Sequence, residues 1–205
     1  MRLEGAFYIV AFMLALRGEE VSLIESRGIR KYWEQEVNHP KPQVFITLLG
    51  QFKNEIGETY HSMPVLAQTP RSLQPLKWVD RFIKEYERKG IVLGYMFHNQ
   101  DGSHVKGKFM DERFHERLLQ IQDIRRYLIL EGTDVIKEYG TSRSFRRGGT
   151  SEATNQGAPP QVIELNGWWR KSMQSGASHL NITIREHYMD IRLVMDQLLE
   201  FSRFL

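Results

Sequence analysis

From Ala6 to Leu16 the chain holds 11 consecutive apolar residues, bounded by Glu4 on one side and Arg17 on the other. A helix built from such a run has no polar face, so it must be covered on every side. A membrane span needs roughly 20 apolar residues, and this run is too short for one. A secretory signal would start with basic residues and end at a small-residue cleavage site. Here Glu4 precedes the run and Arg17-Gly18-Glu19-Glu20 follows it, which argues against export. The run therefore predicts a helix buried in a protein core, and 205 residues suffice to build one such core around it.

Charge and composition narrow the classes further. The net charge of +3 is mildly basic and permits an anionic partner without requiring one. There is no cysteine, which excludes disulfides, zinc fingers and thiolate chemistry and fits an intracellular protein. No His-x-x-x-His pair, no Gly-rich loop ending in Lys-Ser or Lys-Thr, and no Gly-x-Ser-x-Gly elbow occurs, so metal hydrolysis, nucleotide hydrolysis and serine esterase chemistry lack support.

Along the chain, residues 5–25 read as two short helices broken near Gly18, and Ser26 to Glu36 as an amphipathic helical stretch closed by Pro40 and Pro42. Val44 to Leu49 and Thr59 to Leu66 read as strands of a hairpin, with Lys53 near its bend. Leu76, Val79, Phe82, Ile83 and Tyr86 fall at helical spacing, with Gly90 as the stop. Ile91 to Phe97 reads as a third strand, followed by a turn at Asn99 to Gly102. Helices are expected around Met110 to Ile121, Thr133 to Tyr139, Phe145 to Asn155 and Gln161 to Asn166. After a polar loop from Gln174 to Asn181, Thr183 and Glu186 form a capping-box pattern that opens a last helix, with Tyr188, Ile191, Met195 and Leu198 on one stripe. The expected class is mainly α with a small antiparallel β-sheet (α+β), as one domain over residues 1–205.

Four segments, taken in order, resemble the landmarks of the tyrosine recombinase (phage integrase) catalytic domain. Leu14-Ala15-Leu16-Arg17-Gly18-Glu19-Glu20-Val21 resembles the segment that carries the family's first catalytic arginine, which falls on Arg17. Gly50-Gln51-Phe52-Lys53 is similar to the turn that carries its catalytic lysine, here Lys53. Arg143-Ser144-Phe145-Arg146-Arg147-Gly148 resembles the box of histidine, two spacers and arginine; Arg146 takes the second arginine, and Arg143 stands where the family has histidine. Trp169 follows Arg146 by 23 residues and takes the position of a tryptophan or histidine. Tyr188 takes the position of the nucleophile, after what looks like an insertion from Ser172 to Asn181. Each residue also has a plain structural role open to it. Arg17 can end a helix and pair with Glu20, Lys53 can be an ordinary turn lysine, and the basic start of the Arg143 helix can be solvated. Trp169 and Tyr188 can be core residues.

The resemblance implies an integrase catalytic-domain-like fold and a DNA breaking-and-rejoining enzyme that works through a 3′-phosphotyrosyl link, without metal or other cofactor. Arg17, Arg146 and Arg147 would bind DNA phosphate. Arg143 or Trp169 would add a donor, and Lys53 would protonate the leaving 5′ oxygen. The implied partner is double-stranded DNA, with no membrane, in the nucleoid or nucleus. The C-terminal helix with Leu198, Phe201 and Leu205 would either pack at home or dock on a second copy. The family's N-terminal DNA-clamping domain is expected to be absent, because the chain starts at the first catalytic helix. Together with Arg143 and the long gap before Tyr188, this keeps two other readings open: a catalytically inactive relative that binds DNA or a protein, and an unrelated helical interaction protein.

Overall fold

The computed structural model describes residues 2–25, 29–30, 43–50, 59–66, 69, 73–90, 94–125, 127–167 and 200–205, and for 2, 29–30, 43–50, 59–66 and 164–167 it describes the backbone alone. The apolar run forms α1 (Arg2–Met13) and the turn after it. Phe7, Val10, Ala11, Met13 and Leu14 are all at most 1% exposed, so α1 is the axis around which the body is wrapped. Each such large side chain contributes about 1.5–3 kcal/mol of burial.

Helix α3 (Pro75–Arg88) covers one side of α1. It forms as its spacing predicts: Pro75 opens it, Val79, Phe82 and Tyr86 face inward, and Gly90 (φ 69°) takes the left-handed turn beyond its end. The Trp78 ring lies on Gly5 so closely that a Cβ there would come within 2.6 Å of it. Phe97 links the two helices, with its ring 5.2 Å from Phe7 and 5.2 Å from Phe82.

Helix α6 (Ser144–Asn155) covers another side and leads into α7 (Pro160–Gly167). Gly148 and Gly149 lie inside α6, where glycine costs about 1 kcal/mol relative to alanine. The reason is contact: a Cβ on Gly149 would come within 2.7 Å of the Phe12 carbonyl oxygen. Helix α4 (Gly107–Ile124) packs against α2 (Gly18–Ser22) and against the short α5 (Val135–Glu138), which Asp134 caps by accepting the Lys137 N–H at 3.2 Å. Residues 200–203 are helical, and Phe201 and Leu205 are buried in the chain's own core. Leu198 and the rest of the expected last helix lie outside the described residues.

The expected break near Gly18 sits earlier. Helix α1 ends where Ala15 adopts φ 49°, the left-handed region. Leu16 N–H donates to the Ala11 carbonyl at 2.9 Å and Ala15 N–H to the Phe12 carbonyl at 3.2 Å. This paired closure satisfies two orphan carbonyls at the helix end, and it usually places glycine where Ala15 stands. Gly18 is instead the first residue of α2.

The expected α+β class, and with it the integrase-like catalytic fold, is corrected. The body described down to its side chains is mostly helical. Among those residues there are isolated bridges (Glu25 with Tyr95, His98 with His104) but no strand, and every buried apolar side chain belongs to a helix or a connecting loop. The backbone trace β1 (Ile29–Arg30), β2 (Gln43–Gly50) and β3 (Thr59–Leu66) runs antiparallel in that order, with Gln43 opposite Leu66 and Gly50 opposite Thr59, and contributes no described side chain to the core. Ile29 and Arg30 are extended, not helical as the 26–36 pattern suggested. Of the expected third strand, Ile91 to Leu93 lie outside the described residues; in its described part Gly94 turns with φ 101°, and Met96 and Phe97 then enter the core as loop anchors. Among the described residues no helix is long and apolar enough to cross a membrane.

Two substitutions test this packing. Replacing Ala15 with glycine relieves a left-handed alanine, so urea denaturation is expected to show a gain of about 1 kcal/mol. Gly149→Ala presses a methyl group onto the Phe12 carbonyl and is expected to lose about 1–3 kcal/mol in the same measurement, although alanine favours an isolated helix.

Candidate functional site

Arg17 and Arg146 lie in different parts of the sequence, and the fold brings them to one carboxylate. Arg17 ends the turn after α1, in extended conformation, and is the N-cap of α2. Glu20, three residues on, accepts the Arg17 backbone N–H at 2.8 Å through Oε2. An arginine side chain has no acceptor, so only this half of a capping box forms. The other oxygen, Oε1, lies 3.8 Å from Arg17 Nη1 and 3.8 Å from Arg146 Nη1. Glu20 is thus a bridge between two guanidinium groups.

The environments of the two arginines differ. The Arg17 side chain is 41% exposed, whereas that of Arg146 is 15% exposed. Burial pushes the Arg146 guanidinium below its ordinary value; the Glu20 carboxylate opposes this, and the neighbouring Arg17 adds to it. Arginine titrates so high that Arg146 remains a cation at neutral pH.

Two close approaches create the juxtaposition. Gly18 N–H donates to the Thr141 carbonyl at 3.0 Å, and a Cβ on Gly18 would come within 2.9 Å of the Thr141 Cβ. Gly149 against Phe12 fixes α6 on α1 from the other side. Phe145, next to Arg146, stacks on Tyr8 of α1 with ring centroids 5.2 Å apart and planes 17° from parallel. The Tyr8 hydroxyl is buried with no hydrogen-bond partner among the described residues, and burial, aided by Glu4, raises its pKa above the ordinary phenol value.

Arg143 is the N-cap of α6 and Arg147 lies in its first turn, and both are exposed. Their spacing of four residues puts them on neighbouring turns of one face, at the positive end of the helix dipole. The start of α6 and the α2 cap therefore present Arg17, Arg143, Arg146 and Arg147, a set suited to gripping the oxygens of an anion by fork-shaped donors. Lys53, Trp169 and Tyr188 lie outside the described residues.

Sequence reasoning noticed Glu20 only as a possible partner of Arg17. It assigned no role to Gly149 or to Thr141. The available signal was the glycine pair inside a predicted helix, which marks a close backbone approach.

Removing the bridge has a defined expected outcome. Glu20→Ala takes away both the carboxylate and the α2 cap, with an expected loss of about 2 kcal/mol in thermal or urea unfolding. Glu20→Gln keeps an oxygen for the Arg17 N–H and is expected to lose less than half of that.

No protein-family model matches the chain, and no curated protein matches it either.

Proposed function

We propose that the chain binds DNA phosphodiesters at the Arg17–Arg146 pair and breaks and rejoins strands as a tyrosine recombinase does. The observation that carries this reading is the convergence of the two arginines on Glu20, from the two segments whose motifs suggested them separately. The order of the four motifs supports it as well. It does not rest on the fold class.

A phosphodiester under attack gathers negative charge on its non-bridging oxygens, and preorganised cations aimed at that charge are usually the largest catalytic contribution. Arg17 and Arg146 would hold those oxygens, with Arg143 and Arg147 on the flanking strand. In the proposed step the Tyr188 phenolic oxygen attacks phosphorus, a phosphotyrosyl bond forms at the 3′ end, and the bond to the 5′ oxygen breaks. Lys53 delivers a proton to that oxygen; His187 or water takes the proton from the phenol. The bond energy is kept in the phosphotyrosine, so an incoming 5′ hydroxyl can reverse the step. No nucleotide or metal is consumed.

The test is a nicked duplex that traps the covalent product, incubated with the wild type, Tyr188→Phe and Arg146→Ala. An adduct that survives denaturation, disappears in Tyr188→Phe and falls by about 100-fold or more in Arg146→Ala is the expected result. An adduct that persists in Tyr188→Phe would move the nucleophile elsewhere. Salt-sensitive duplex binding with no adduct in any variant would replace strand exchange by the inactive, DNA-binding alternative.

A further inference from the structure

Thr141 touches Gly18 on one side and precedes α6 on the other, so its position sets how far Arg17 lies from Arg146. Two side chains on one face of α4, a single turn apart, hold the segment around it. The Asp111 Oδ1 accepts both the backbone N–H of Thr141 and its hydroxyl, the latter at 2.7 Å. His115 Nε2 donates to the Tyr139 carbonyl at 2.7 Å. Gly140, between the two anchored residues, closes the turn onto α6: its N–H donates to the Ser144 hydroxyl at 2.9 Å, and its carbonyl accepts the Ser144 N–H at 2.8 Å. The N-terminal end of α4 also touches α2, where a Cβ on Gly107 would lie 3.3 Å from the Glu19 side chain. One rigid helix thus braces both arginine-bearing elements.

We infer that Asp111 is a positioning residue for the arginine pair, acting through Thr141, with His115 as its second pin. Among the described residues its hydrogen bonds go to Thr141 and not to either guanidinium. Its oxygen fixes a turn whose next contact, Thr141 carbonyl to Gly18 N–H, is made at the residue after Arg17. A carboxylate that accepts a backbone N–H and a hydroxyl through one oxygen constrains both the turn and the threonine rotamer. The consequence for phosphate binding rests on the function proposed above; the consequence for the arginines does not.

The experiment separates the two. The side-chain Nε–H signals of Arg17 and Arg146 are recorded by NMR in the wild type, Asp111→Ala, Asp111→Asn, Thr141→Val and Thr141→Ser, and in Asp134→Ala as a control that removes a helix cap elsewhere. Asp111→Ala and Thr141→Val are expected to shift both arginine signals. Asp111→Asn keeps a carbonyl oxygen and Thr141→Ser keeps a hydroxyl, so both are expected to restore them. Asp134→Ala is expected to leave them in place, which a general loss of stability would not do. Should Asp111→Ala not fold, Thr141→Val against Thr141→Ser decides alone. Arginine signals unmoved in the folded Asp111→Ala or Thr141→Val overturn the inference.

Duplex binding at low salt is measured beside it. Asp111→Ala is expected to weaken binding about tenfold in the wild-type background and not at all in Arg146→Ala, the non-additivity of residues acting through one another. Shifted arginine signals with unchanged duplex binding would uphold the positioning role and count against the phosphate reading.

Discussion

The structure depends on burying a helix that has no polar side. Helix α1 can be stable only when something covers every face of it, and the chain supplies α3, α6, the Met96–Phe97 loop and the C-terminal residues as covers. Wrapping of this kind gathers segments that are distant in sequence around one axis. The turn that ends α1 and the helix that covers it are the two carriers of arginine. Their meeting is a by-product of hydrophobic burial, then refined by glycines that let backbone touch backbone.

Electrostatics completes what packing begins. Two guanidinium groups side by side repel, and one of them is mostly buried, so the pair needs an anion between them. Glu20 serves in the isolated chain. It is itself restrained by the Arg17 N–H, which keeps it from following either arginine outward. Arginine suits the buried position because its charge is delocalised and weakly hydrated, which lowers the cost of taking it from water.

Part of the helical frame was legible because some helices announce themselves by apolar residues at 3.6-residue spacing. That held for α3, with Leu76, Val79, Phe82 and Tyr86, and for α4, with Met110 and Phe114. The class was not legible. Branched residues from Val44 to Leu49 signal extended backbone, but they do not say whether a strand joins the core, and the core described is helical. The break at Ala15 was hidden because alanine carries no left-handed signature, so the neighbouring Gly18 drew attention instead. In the site, Arg17 and Arg146 were legible as motif residues. Asp111 was not, since an aspartate on a charged helix face looks solvated until the fold places Thr141 against it.

The contacts that set the spacing of the arginines are largely main-chain contacts: Gly18 N–H to the Thr141 carbonyl, and the Gly149 backbone against the Phe12 carbonyl. Contacts between backbones constrain only the size of the residue that makes them. Phe12 can therefore vary in type more freely than the glycine opposite it, whereas Thr141 is also held through its hydroxyl by Asp111, and core residues can be exchanged for others of similar volume. Over evolutionary time a chain built this way can lose overall sequence likeness while two small residues and a charge cluster stay in place. Relatives would be recognised by the distance between two arginines across a glycine contact sooner than by any aligned stretch of sequence.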